Sequence, residues 1–121
     1  MHYKLKLYFL KIKKYKMDSE LKTKIDSMIK ENNVLLFMKG TKEMPQCGFS
    51  KYVTDVLNQL GIEYSTVNIL EDEEIRSGLK EYSAWPTFPQ LYVKQKFIGG
   101  CDIISEMYQS GELEELFGIQ E

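Results

Sequence analysis

The stretch best equipped for chemistry runs Lys39-Gly40-Thr41-Lys42-Glu43-Met44-Pro45-Gln46-Cys47-Gly48-Phe49-Ser50, with a single thiol near its end. A cysteine acts through its thiolate, which is both a nucleophile and a metal ligand. Upstream, Val34 to Met38 is a continuous apolar run of strand length. Downstream, Tyr52, Val53, Val56, Leu57 and Leu60 recur at the spacing of one helix face over 49–60. Pro45 and Gly48 punctuate the join. Cys47 is therefore expected where a strand turns into a helix, at a helix N-terminus whose free N–H groups and dipole favour a thiolate. The other reading of a free cysteine is a small buried apolar residue. The exposure of such loops, and Lys39 and Lys42 close by, weigh against it. Ser50 matters for what it lacks. A second thiol three residues after the first could resolve a mixed disulfide, and a hydroxyl cannot.

Those residues need a scaffold, and 121 residues suffice for one domain. A hydrophobic content of 43% with 28% charged residues fits a soluble globular chain, and no apolar run approaches the length of a membrane span. Two cysteines 54 positions apart and one histidine, His2, are too few and too scattered for a structural zinc site within one chain. Nor do two cysteines make a secreted disulfide framework, so a reducing compartment is expected. The net charge of −2 hides an asymmetry: residues 1–17 carry six of the 16 basic residues and no acid, leaving 10 basic against 18 acidic residues beyond. An acidic domain offers no electrostatic footprint for nucleic acid. Residues 1–17 are read as a basic extension, disordered or targeting, and Met17 could itself start a complete domain over 18–121.

The remaining elements follow from periodicity. Asp18 or Ser19 can cap a helix carrying Leu21, Ile25, Met28 and Ile29. Ile62 to Ile69 reads as a second strand, giving a β-α-β unit and a parallel pair. Asp72 opens a helix with Ile75, Leu79 and Tyr82 on one face. Trp85-Pro86-Thr87-Phe88-Pro89 must be a shaped turn. Leu91–Val93 and Lys96–Ile98 form a hairpin, although Lys94-Gln95 is an unusual pair for its tight turn. Asp102 can cap a helix carrying Ile103, Ile104, Met107 and Tyr108, and Leu113, Leu116 and Phe117 suggest a final short helix. The economical packing is an α/β, thioredoxin-like arrangement: a four-stranded mixed sheet with helices on both faces.

Cys47-Gly48-Phe49-Ser50, Trp85-Pro86-Thr87-Phe88-Pro89-Gln90 and Gly99-Gly100-Cys101-Asp102, in that order and with Lys39-Gly40 ahead of the cysteine, resemble a monothiol glutaredoxin of the CGFS type, in its single-domain branch. The likeness covers about Ser19 to Phe117. It implies a glutaredoxin fold and a groove for glutathione. Lys39 and Arg76 would meet the glycine carboxylate, the Phe88 backbone would pair with the cysteinyl part, and Pro89 would be cis. Cys101 and Asp102 would hold the γ-glutamyl end through backbone N–H groups and the Asp102 carboxylate. Trp85 is read as a packing residue beside the groove.

Cys47 would be the catalytic thiol and also a ligand of a [2Fe–2S] cluster, shared with the partner in a cluster-dependent homodimer and completed by two glutathione thiolates. The expected function is cluster transfer to apo iron–sulfur acceptor proteins, with at most weak glutathione-dependent oxidoreductase activity. The alternatives are an oxidoreductase that removes glutathione from protein mixed disulfides, and a non-catalytic domain whose Cys47 senses oxidation. The resemblance suggests the mitochondrial matrix, with the cytoplasm as the alternative from Met17. The cluster-free chain is expected to be a monomer, without nucleic-acid or membrane partners.

Overall fold

Val34–Met38 forms β1, and every one of its residues is buried. Because side chains alternate across a strand, β1 feeds two cores. Val34, Leu36 and Met38 join Val53, Val56, Leu57, Leu91, Val93, Ile104 and Leu113 on one face of the sheet. Leu35 and Phe37 join Ile25, Ile29, Ile69, Ile75, Leu79 and Tyr92 on the other. A strand covered on both faces needs an unbroken apolar run, which is what the sequence supplies. The computed structural model describes residues 18–119, and the expectations for residues 1–17 lie outside them.

The order is α1 (Ser19–Glu31), β1, α2 (Gly48–Gln59), β2 (Ser65–Asn68), α3 (Glu73–Ser83), β3 (Gln90–Val93), β4 (Lys96–Gly99), α4 (Cys101–Ser110) and α5 (Glu112–Phe117). The strands lie in the order β2-β1-β3-β4. β1 and β2 are parallel, while β1–β3 and β3–β4 are antiparallel. α1 and α3 cover one face; α2, α4 and α5 cover the other. This is the expected thioredoxin-like arrangement, a four-stranded mixed sheet with helices on both faces. Among the described residues, no helix is long and apolar enough to cross a membrane.

Two helix starts match the sequence reading. Asp18 caps α1 by accepting from the Leu21 N–H at 2.8 Å, and Asp72 caps α3 by accepting from Ile75 at 3.1 Å. Capping of this kind contributes about 1 kcal/mol each. That hydrogen bond is also the main reason the Asp72 carboxyl titrates below its ordinary range, with Lys24 assisting.

Other boundaries differ from expectation. The second strand is only Ser65–Asn68, because Ile62 and Tyr64 serve the end of α2 instead. The Ile62 N–H donates to the Leu57 carbonyl at 3.0 Å, and the Tyr64 hydroxyl bonds to Asn58 at 3.1 Å. α4 begins at Cys101 with Gly100 as its N-cap, so Asp102 lies inside the first turn and is not the cap. The β3–β4 turn does use Lys94 and Gln95, at φ 50° and 71°, the left-handed values that a two-residue hairpin turn demands.

Candidate functional site

The strand register gathers the singled-out residues. Phe37 faces Gln90 across β1 and β3, so the end of β1 lies beside the start of β3. Met38 faces Asn68 in the parallel pair, and Leu91 faces Gly99 in the antiparallel one. The end of β2, which leads to α3, and the end of β4, which leads to α4, therefore reach the same edge. Lys39, Arg76, Phe88, Cys101 and Asp102, from four separate segments, line one groove of about 400 Å³ at this end of the sheet. That is within the size of small-ligand sites. Cys47 opens onto an adjoining depression with Gly48 and Tyr52, and Phe49, Cys101 and Asp102 border both.

The loop from β1 to α2 folds back on itself to bring Cys47 home. Gly40 pairs with Pro45 in an isolated bridge, and the Thr41 N–H donates to the Met44 carbonyl at 3.1 Å. Gly40 sits at φ 95°, and a Cβ there would stand 2.5 Å from the Gln46 nitrogen and the Met44 oxygen. Only glycine fits this turn.

Both backbone groups of Lys39 are engaged by residues flanking Cys47. Its carbonyl accepts from the Gln46 N–H at 2.8 Å, and its N–H donates to Ser50 Oγ at 3.1 Å. The Gly40 N–H donates to Asn68 Oδ1 at 2.9 Å. Ser50 is fully buried. Its hydroxyl is thus a fixed part of the loop, a role that its position three residues after Cys47 did not reveal. Asn68 was likewise missed, because its partner lies 28 residues away.

Cys47 is the N-cap of α2, half-exposed, and its side chain makes no capping bond. Met44 and Phe49, on either side of it, are 68% and 61% exposed. Lys42 is not part of the groove. Its ammonium donates to the Tyr64 carbonyl and stands 3.8 Å from the centre of the Tyr64 ring. Cys101 borders the same depression, but burial, then Asp102, then Cys47, push its thiol above the ordinary range.

The groove carries both signs of charge. Lys39, Arg76 and Lys80 supply cations, and Asp102 is the carboxylate among the lining side chains. Sequence reading missed Lys80, although it lies four residues after Arg76 on the same helix, a spacing that puts both on one face. Arg76 also meets Glu73 at 3.6 Å, an exposed pair of little energetic weight.

Among the described residues, two buried side-chain polar atoms lack a hydrogen-bond partner, Arg76 Nε and Trp85 Nε1, and both residues line this groove. Buried donors are normally satisfied, so these two stand out, and Trp85 Nε1 lies 3.1 Å from where a Cβ of Gly100 would be. Trp85 also packs as expected, its ring 6.0 Å from that of Phe97. The Phe88–Pro89 bond is cis.

Among the described residues, no three His, Cys, Asp or Glu side chains come together to hold a metal ion. Cys47 can contribute one thiolate ligand, and a cluster needing four would have to draw the others from outside this chain.

A family model described as glutaredoxin matches residues 34–98. A monothiol glutaredoxin of Synechocystis is 54% identical over 103 residues, covering 85% of this chain and 96% of that protein. The solution structure of reduced apo GrxS14 from poplar superposes with a TM-score of 0.72 at 56% identity, over 81% of this chain and 90% of its own. The crystal structure of a buckwheat glutaredoxin–glutathione complex gives a TM-score of 0.72 at 25% identity, over 84% and 93%.

Proposed function

Since the chain belongs to the glutaredoxin family, in its monothiol branch, we propose that it binds glutathione in this groove and carries a [2Fe–2S] cluster as cargo between two copies of itself, for delivery to apo iron–sulfur proteins. The observation that carries this reading is the pairing of a half-exposed Cys47 with an adjoining groove lined by three cations and an acid. Glutathione has two carboxylates and one ammonium, and its thiol would lie between them. Lys39 and Arg76, with Lys80 beside them, are assigned to the glycine carboxylate. The Arg76 guanidinium lines the groove and is a charge-assisted donor for it. The Phe88 backbone is assigned to the cysteinyl part. The first turn of α4, at Cys101 and Asp102, is assigned to the γ-glutamyl end: free N–H groups take the carboxylate and Asp102 takes the ammonium.

Cys47 and one glutathione thiolate supply two cluster ligands, and two chains supply four. A cargo held partly by exchangeable small molecules can leave by ligand exchange, as acceptor cysteines displace the thiolates. Anaerobic reconstitution with iron, sulfide and glutathione tests this. The expected result is a [2Fe–2S] absorption and circular dichroism spectrum that requires both glutathione and Cys47, and that moves to an apo-ferredoxin on mixing. Absence of bound iron in a protein that binds glutathione normally would overturn the carrier reading.

The same half-exposed thiol favours a second reading, a glutathione-dependent oxidoreductase. Cys47 would attack a glutathionylated protein and take the glutathionyl group, releasing the protein thiolate. A second glutathione would then attack the mixed disulfide, leaving as oxidised glutathione and returning Cys47. Ser50, buried and bonded to Lys39, cannot serve as the resolving group. Turnover of a glutathionylated peptide by cluster-free protein measures this activity.

A further inference from the structure

Gln90 begins β3 and is fully buried. Its side-chain amide uses both N–H donors and one of the two oxygen lone pairs. Nε2 donates to the Trp85 carbonyl at 3.1 Å and to the Thr87 carbonyl at 3.3 Å, while Oε1 accepts from the Tyr92 hydroxyl at 3.3 Å. The two backbone carbonyls can only accept, so they fix which way the amide faces and leave Oε1 toward the Tyr92 hydroxyl.

Beyond this amide, the segment's backbone is held at its start, where the Trp85 N–H donates to Ser83 Oγ at 3.2 Å. α3 ends at Ala84 in a left-handed conformation, and Pro86 and Pro89 have no N–H to donate. The Thr87 carbonyl and the Phe88 N–H belong to one trans peptide unit, in which the two groups point in opposite directions. Drawing the Thr87 oxygen inward onto Gln90 therefore turns the Phe88 N–H away from the buried amide. Gly100 supports the segment from the far side: a Cβ there would stand 3.1 Å from Trp85 Nε1 and 3.2 Å from the Pro89 oxygen.

We propose that Gln90, braced by the Tyr92 hydroxyl, is a positioning residue that sets the peptide plane of Thr87–Phe88 and thereby the affinity of the groove for the cysteinyl part of glutathione. This rests on the glutathione reading above. Gln90 touches no ligand and acts only through the Trp85–Pro89 segment.

The test measures glutathione affinity by calorimetry for the wild type, Gln90→Met and Tyr92→Phe. Folding is checked by circular dichroism, and backbone amide shifts are recorded for each variant. Gln90→Met keeps the length of the side chain and removes both donors. It is expected to weaken glutathione binding by about tenfold or more and to move the Phe88 amide resonance, leaving Lys39 and Asp102 in place. Tyr92→Phe removes one hydroxyl and is expected to weaken binding several-fold with the same local signature. A folded Gln90→Met that binds as tightly as wild type would overturn the proposal while leaving the glutathione reading intact. If Gln90→Met does not fold, Tyr92→Phe decides, and affinity within twofold of wild type overturns it. A wild-type protein that fails to bind glutathione sinks the underlying reading instead.

Discussion

Cys47 and Cys101 stand in similar places. Each lies at the start of a helix, both border the same depression, both are half-exposed, and neither helix is capped by a side chain. Their surroundings differ. Cys47 has exposed neighbours in Met44 and Phe49, and the glycine after it has open space. Cys101 follows Gly99 and Gly100, both buried, and packs against the core beneath α2 and α4. Burial and the Asp102 carboxylate push its thiol up. A helix N-terminus alone therefore does not make a reactive cysteine. What surrounds the sulfur decides whether a cysteine is suited to offering its side chain, as proposed for Cys47, or its backbone, as proposed for Cys101.

The largest consequence concerns reactivity. Iodoacetamide should label Cys47 at least about tenfold faster than Cys101 at pH 7, because the thiolate is the nucleophile and Cys101 keeps its proton there. With its titration pushed above the ordinary thiol range by burial and Asp102, Cys101 labelling should accelerate only under more alkaline conditions. Mass mapping of the two adducts over a pH series checks this, and equal rates at pH 7 would erase the distinction.

The next consequence is steric. Gly100→Ala should destabilise the fold by about 1–3 kcal/mol, as overpacking does, because the new methyl meets Trp85 and the Pro89 carbonyl. Gly48→Ala, with nothing within 4 Å of its Cβ, should stay within about 0.5 kcal/mol of wild type, as surface changes do. Urea unfolding of both variants gives the contrast directly.

A comparable effect should come from Ser50→Ala. It leaves the Lys39 N–H without its acceptor, at a cost of about 1–3 kcal/mol, and loosens the loop on the Cys47 side while the Cys101 side is untouched. Faster hydrogen exchange at Lys39, with unchanged exchange at Ile104, is the expected signature.

Local pattern carried much of this into the sequence. The apolar run of β1, the helix face from Tyr52 to Leu60 and the Asp72 cap are each decided within a few residues. So is the turn at Trp85–Pro89, where two prolines exclude a helix. Roles that depend on the sheet bringing distant segments together were out of reach. Ser50 looked like a missing thiol until β1 placed the Lys39 N–H against it. Asn68 and Gln90 are polar residues at strand ends whose partners follow from register and loop path. Lys80 joined the groove only once α3 was oriented by its buried Ile75 and Leu79. The overlong second strand had a related cause, since β-forming residues such as Ile62 and Tyr64 can equally well pack against a helix end.

The central claim is that Cys47, with ligands from outside the chain, holds the cluster and that Cys101 does not. Native mass spectrometry of protein reconstituted with iron, sulfide and glutathione tests it most directly, comparing wild type with Cys47→Ser and Cys101→Ser. The account predicts a species of two chains, two glutathiones and one [2Fe–2S] cluster for the wild type and for Cys101→Ser, and cluster-free monomer for Cys47→Ser. A cluster retained by Cys47→Ser, or lost from a folded Cys101→Ser that still binds glutathione, would contradict it.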